Sequence, residues 1–194
     1  IRISNPQYPN DFLNQDPSTT LHMTAQGHLL QGKYFARCTR KLVEDRKAQR
    51  PLGNYTVEML TAVRSGRRIT VTFNVPEPPL VFDTSWVAAA HNNGFEIYDI
   101  SGTRLDIVAS MKLAGPDTMI IFCNADIPDG AQIRAGYGIP SDGHGIGRGY
   151  NPLVPPGGRT NLRDSAGNDD HYVGSDGVTR YLHNYCIIHY ISIQ

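Results

Sequence analysis

The sequence predicts a mainly β protein: an antiparallel β-sandwich of jelly-roll type, preceded by one long α-helix. Two observations predict this fold class. Apolar residues follow a helical spacing only near the start of the chain, and from Tyr55 onward the apolar period becomes two, as in half-buried strands. Short strand candidates then alternate with turn residues, which is typical of a sandwich.

The helix is predicted over residues 24–48. Thr24 is a good N-cap, and an apolar stripe follows at helical spacing, made of Leu29, Leu30, Phe35, Leu42 and Val43. Prolines break any helix in the first twenty residues, and Pro51-Leu52-Gly53 ends the helical region. We therefore divide the chain into a first domain, 1–52, and a β-sandwich domain, 53–194.

The clearest strand lies around residues 69–75, where apolar side chains alternate with polar ones. Turn signals such as Ser101-Gly102 and Asp129-Gly130 separate the later candidates. The further predicted strands are 56–63, 79–82, 94–100, 103–113, 117–124, 131–137 and 181–193.

Composition excludes several classes of function. Lys and Arg together number 18, as do Asp and Glu, so the net charge is zero, which argues against nucleic-acid and anionic-membrane partners. The apolar run 119–123 is far too short to span a bilayer. The three cysteines, Cys38, Cys123 and Cys186, are too widely spaced for a disulfide framework or a zinc site, so we expect buried free thiols.

The stretch LHMTAQGHLLQGKYFA, residues 21–36, resembles the last catalytic block of SGNH (GDSL-type) hydrolases. In that family a histidine followed by an apolar residue, Thr and a small residue opens the final helix, and His22-Met23-Thr24-Ala25 matches this pattern. Further segments resemble, in order, the sandwich that follows the esterase module in phage and bacterial members: PEPPLVFDT (76–84), NNGFEIYD (92–99), AQIRAGYG (131–138), TNLRDSAG (160–167) and LHNYCIIHY (182–190).

This resemblance implies that residues 1–52 are the C-terminal remnant of an SGNH domain, with the helix left over from its α/β fold. His22 would be the catalytic base. The family usually places an aspartate three residues earlier, where this chain has Thr19, and the Gly-Asp-Ser nucleophile motif is absent. We therefore expect the nucleophile upstream, and expect no hydrolysis of acetyl esters by this chain alone.

The resulting hypothesis is a C-terminal accessory domain, for carbohydrate binding or assembly, of an SGNH-type carbohydrate esterase from a phage tail or a secreted bacterial protein. We expect it outside the cell or in the virion, or else in the periplasm. Its expected partners are a glycan or polysaccharide, the upstream SGNH domain or a partner chain, and further copies of itself. Two alternatives stay open: a fragment of a nicked O-acetylesterase that supplies His22, and a tail-fibre oligomerisation domain.

A long loop over 138–176, rich in Gly, Asp, Asn and Pro, is the expected ligand surface. Its polar groups suit sugar hydroxyls and Tyr150 adds an aromatic face, so the candidate ligand-binding residues are Arg148, Tyr150, Asn161, Arg163 and Asp164. Alternatively, residues 161–164 tie the loop to the sandwich through backbone hydrogen bonds.

Other side chains are weaker candidates for the same role or for a metal. Trp86 is a candidate stacking platform, although we expect it to be buried. His183 and the other scattered histidines fit loop or core positions better than a metal site. We predict no cofactor, with calcium as the alternative, because oxygen ligands suit that ion and this segment contains Asp164, Asn168, Asp169, Asp170 and Asp176.

Overall fold

The computed structural model of the chain describes residues 6, 8–10, 23–87, 89–137 and 158–194. The predicted fold class is confirmed: these residues form a mainly β fold with antiparallel sheets and one α-helix. The helix, α1, spans Ala25–Lys47. The strands are β1 Glu58–Ser65, β2 Arg68–Asn74, β3 Val81–Phe82, β4 Phe95–Tyr98, β5 Arg104–Leu105, β6 Val108–Leu113, β7 Thr118–Cys123, β8 Gln132–Ala135, β9 Leu162–Arg163, β10 His171–Val173, β11 Thr179–Tyr181 and β12 His189–Ser192.

Helix α1 begins and ends where the sequence predicts, within one residue. The Thr24 hydroxyl accepts a hydrogen bond from the Gly27 N–H at 2.9 Å, which satisfies one of the unpaired donors at the helix start. After Lys47 the chain leaves the helix, and Gln49 takes a left-handed conformation with φ of 53°. No helix in the described residues is long and apolar enough to cross a membrane.

Within the described residues, the predicted apolar stripe of α1 is not the buried face of the helix, except at Leu30. Leu29, Phe35 and Val43 are largely exposed, whereas Leu30 is buried and Leu42 is half-buried. The buried face has helical spacing but is mostly polar or aromatic: Gly27, Leu30, Gln31, Tyr34, Arg37, Cys38 and Asp45. Polar groups can replace aliphatic ones on a docking face when each finds a hydrogen-bond partner, and these do.

Two four-stranded antiparallel sheets form the core of the sandwich. Their strand orders are β1-β2-β7-β6 and β12-β8-β4-β5. The predicted alternation is confirmed on β2, where Ile69, Val71 and Phe73 are buried. The Phe73 ring meets Phe95 of the second sheet edge-on, with centroids 6.2 Å apart, so the inner faces of both sheets share one hydrophobic core.

Two predicted strands differ from the structure. The run 103–113 is divided into β5 and β6, which belong to different sheets, because the chain crosses between the sheets near residue 106. Of the run 181–193, β12 alone pairs with β8. The residues before it bond to separate partners instead, as when Cys186 N–H donates to Leu162 O and Ile187 N–H to Val57 O.

The second half of the predicted loop 138–176 is structured; its first part, 138–157, lies outside the described residues. Strand β9 pairs with β3, and β10 forms a hairpin with β11. This segment is buried through polar side chains, with Thr160, Asn161 and Asp164 inaccessible to solvent. Its Gly, Asp and Asn residues thus provide turns and internal hydrogen bonds.

The three cysteines are free and buried, as predicted. Burial raises the pKa of each thiol above its ordinary value. They therefore stay in the protonated form and pack as small apolar side chains.

Helix α1 docks on the segment between β11 and β12 through two side chains. The Tyr34 hydroxyl donates to His183 O at 2.8 Å. The Arg37 guanidinium donates to Leu182 O and to Asn184 Oδ1, and it lies 3.6 Å from Asp170. The helix therefore docks on this segment through hydrogen bonds rather than through its apolar stripe.

Replacing Arg37 should loosen this docking. Arg37→Met leaves two buried acceptors unsatisfied, so we expect the free energy of unfolding to fall by about 3 kcal/mol. The matched control is Arg40→Met on the same helix, since Arg40 is exposed and its ion pair with Glu44 spans 3.9 Å. That control should change stability by less than about 0.5 kcal/mol. Urea unfolding of the two variants measures the difference; equal effects would contradict the argument.

Candidate functional site

The structure describes three of the predicted site residues. Asn161, Arg163 and Asp164 lie in and beside β9. The predicted catalytic His22, the Thr19 that stands in the place of its partner aspartate, and the ligand candidates Arg148 and Tyr150 lie outside the described residues.

Asp164 is a fully buried carboxylate that holds backbone in place. Its Oδ1 accepts the N–H groups of Asn184 at 2.8 Å and Ala166 at 3.1 Å. Its Oδ2 accepts from the Asn184 amide at 2.6 Å and from Glu77 N–H at 3.3 Å. Burial raises the pKa of Asp164, and the hydrogen bonds from Asn184 and Ala166 oppose that rise.

Asn161 is a second buried residue whose side chain forms hydrogen bonds with backbone groups. Its Oδ1 accepts the Ala90 N–H at 2.7 Å, and its Nδ2 donates to Val87 O at 3.0 Å and to Asp83 O at 3.3 Å. Asn161 thereby fixes Asp83, Val87 and Ala90 beside β9. Both Asn161 and Asp164 are positioned as scaffold, which is the alternative role considered for them.

Arg163, between them, points its side chain into a cleft. The residues lining this cleft, which has a volume of about 370 Å³, include Asp83, Arg163, Asn168, Tyr181 and His183. Arg163 Nε lies 2.6 Å from Asp83 Oδ2, and the Arg163 side chain is only 13% exposed. Strand pairing explains the contact, because Phe82 of β3 lies opposite Leu162 of β9.

Asp83 is held ionised by its neighbours. The Ser85 hydroxyl and N–H donate to its Oδ1 at 2.5 and 2.8 Å, opposite the oxygen that Arg163 binds. Burial by itself would raise the pKa of Asp83, but the hydrogen bonds from Ser85 and Arg163 outweigh it and lower the pKa below its ordinary value. A charged pair with fixed geometry therefore forms one side of the cleft.

Aromatic rings supply the apolar part of the cleft. Tyr181 stacks on His183 with centroids 6.0 Å apart, and His171, its partner across the β10–β11 hairpin, approaches Tyr181 at 5.5 Å. Trp86, which we expected to be buried, is half-buried and lines the cleft, with its Nε1 donating to Pro9 O at 2.7 Å.

The protonation state of His183 follows from its hydrogen bonds. Its Nδ1 accepts the Gly167 N–H at 3.0 Å and faces Arg163 Nη1 at 3.3 Å. The neutral ring consequently carries its proton on Nε2. Burial, reinforced by the Arg163 charge, lowers the pKa of His183 to about 4, so the ring is neutral at physiological pH.

The oxygen-rich residues considered for calcium are distributed over several contacts. Asp164 bonds to backbone and Asn184 as described, Asp170 faces Arg37, and Asp176 pairs with Arg180 at 2.7 Å. Within the ranges that the structure describes, no group of three or more His, Cys, Asp or Glu side chains is arranged to hold a metal ion.

The sequence analysis proposed Arg163, considered Trp86 and assigned His183 to a loop or core position, but it did not name Asp83 or Tyr181. One local signal was available. Tyr181 and His183 are two residues apart, so in an extended segment they point to the same side. Their contact with Arg163 and Asp83 depends on pairing between segments 80 to 100 residues apart, which no local pattern reveals.

The pKa of His183 makes stability depend on pH. Below about pH 6.5 the unfolded chain binds a proton at this ring, whereas the folded chain does not until about pH 4. Acid therefore favours unfolding, and we expect His183 to account for about 2 kcal/mol of lost stability between pH 7.5 and pH 5.

His183→Asn is the variant for this measurement, since its Oδ1 can still accept the Gly167 N–H without titrating. Urea unfolding at both pH values should show a smaller loss for the variant than for the original chain. The idea fails if both lose the same free energy.

Comparisons with known proteins give fold likeness alone. No family model and no curated protein sequence matches the chain. A solved carbohydrate acetylesterase from Xanthomonas citri is similar over 88% of this chain and 29% of its own, at 13% identity and a TM-score of 0.45. The N-terminal part of the bacterial S-layer protein SbsC matches 88% of this chain and 41% of its own, at 11% identity and a TM-score of 0.37. The chain spans less than half the length of these structures, and the likeness assigns it neither family nor activity.

Proposed function

We propose that the chain is a carbohydrate-binding domain and that the cleft between β3, β9 and the β10–β11 hairpin holds a sugar ring. The observation that carries this proposal is the combination of the stacked Tyr181 and His183 rings with the Arg163–Asp83 pair in one cleft. Small-molecule sites of this kind pair apolar walls with a few fixed polar groups.

The geometry suits a sugar for two reasons. The C–H groups of a pyranose ring can pack against aromatic side chains, and its hydroxyls can exchange hydrogen bonds with Asn168, Thr179 and Arg163, which line the cleft. The polar groups are also held by the scaffold bonds of Asn161 and Asp164. A site built on such fixed groups loses little side-chain entropy on binding.

We further propose the cellular context that the sequence resemblance implies: an accessory domain of an SGNH-type carbohydrate esterase, outside the cell or in a virion. In this proposal the chain recognises the glycan, and the upstream domain hydrolyses the ester. Arg148 and Tyr150 are proposed as additional ligand contacts, to be tested as alanine variants in the binding assay below.

A second candidate function, assembly, rests on the outer face of α1. Leu29, Phe35 and Val43 are each about half exposed there, and exposed apolar side chains grouped on one helix face mark contact surfaces. We expect a chain that assembles through this face to have a multiple of the 21.4 kDa monomer mass. Light scattering would show it, and Phe35→Glu should shift the mass to the monomer; a concentration-independent monomer would refute this candidate.

The carbohydrate proposal is tested by removing one aromatic wall. Tyr181→Ala should weaken binding on a glycan array by about tenfold, because an aromatic contact contributes about 1–1.5 kcal/mol. Tyr181 is 51% exposed, so the melting temperature should change little. The matched control is Tyr190→Ala, which removes a tyrosine of 54% exposure from β12. Binding that survives Tyr181→Ala, or that Tyr190→Ala weakens equally, would contradict the proposed site.

A further inference from the structure

The cleft contains one acidic side chain, and its oxygens are already engaged. Among the described residues that line it, the sole carboxylate is that of Asp83. One of its oxygens accepts both Ser85 donors and the other accepts Arg163 Nε. A ligand therefore meets a carboxylate whose charge is compensated by the guanidinium beside it, and this carboxylate is poorly placed to accept from sugar hydroxyls.

Arg163, in contrast, has one N–H group that no described residue engages. Its Nε binds Asp83, and its Nη1 donates to Asp164 O at 2.8 Å and faces His183 Nδ1. Within the described part of the chain Nη2 has no hydrogen-bond partner. A guanidinium has no acceptor and does not lose its protons, so this N–H group requires an acceptor from water or from a ligand.

His183 contributes a second donor beside the first. Because its Nδ1 accepts from Gly167, the Nε2 atom carries the hydrogen. No bond within the described residues engages that N–H, and the ring lines the same cleft as Arg163. The two residues also touch through Nη1 and Nδ1 at 3.3 Å, and both line the same cleft.

Resting on the proposed carbohydrate function, we propose that the sugar in this cleft is acidic, a uronic acid whose carboxylate accepts from Arg163 Nη2, while His183 Nε2 remains a further donor for the ring oxygens. A carboxylate offers two acceptor oxygens and no donor, which suits a guanidinium N–H that no described acceptor engages. Charge-assisted hydrogen bonds are about twice as strong as neutral ones. A neutral sugar would fill the same space with weaker hydroxyl acceptors, and a carboxylated peptide would lack a ring for the aromatic wall.

The test compares ligands that differ in the carboxylate alone. Isothermal titration of the full chain with trigalacturonate, with its methyl ester and with galactotriose separates charge from ring shape. We expect trigalacturonate to bind at least tenfold more tightly than either neutral ligand. Equal affinity for all three sugars would overturn the acidic-sugar inference and leave the carbohydrate function intact.

A peptide ligand and two arginine variants complete the test. If no sugar binds, both the acidic-sugar inference and the proposed function are overturned; binding of a carboxylated peptide, oligoglutamate, and of no sugar would likewise overturn both. Arg163→Gln should remove the preference for trigalacturonate over galactotriose, whereas Arg67→Gln, which removes an exposed arginine paired with Asp126, should preserve it. If Arg163→Gln does not fold, the affinities of the original chain for the three sugars still test the inference.

Discussion

The buried carboxylate of Asp164 is the interaction on which the cleft depends. It accepts hydrogen bonds from Glu77, Ala166 and Asn184, which belong to three segments distant in the sequence. Asn184 in turn accepts from Arg37 of α1. A buried carboxylate is costly unless its lone pairs are satisfied, and these contacts satisfy both oxygens. One side chain thus orders the turn after β2, the 3-10 turn after β9, the segment before β12 and, through Asn184, the helix.

This network explains why α1 lies against a polar surface. The segment between β11 and β12 does not continue a ladder, so its carbonyl groups at Leu182 and His183 need donors from elsewhere. Tyr34 and Arg37, one helical turn apart, supply them. An aliphatic stripe in their place would have left those carbonyls buried and unsatisfied, at a cost that hydrophobic contact offsets only in part. The buried face of α1 therefore carries the side chains that satisfy the carbonyl groups of the segment it covers.

The sequence predicted the elements that local periodicity and capping determine. Thr24 marks the start of α1, and the alternation through Ile69, Val71 and Phe73 gives the buried face of β2. It did not predict which face of α1 is buried, because Arg37 is buried through partners more than 140 residues away. For the same reason it named Arg163 but not its partner Asp83, since β3 and β9 pair across about 80 residues.

Asn161 and Asp164 show why a polar loop cannot by itself indicate a ligand site. Their side chains have the chemistry expected of sugar contacts, and in the structure they form hydrogen bonds mainly with backbone groups and, for Asp164, also with the Asn184 amide. Arg163, between them in the sequence, directs its side chain to the cleft. The three residues thus have two roles: Asn161 and Asp164 fix the backbone around β9, and that rigidity holds the Arg163 guanidinium against Asp83 before any ligand arrives.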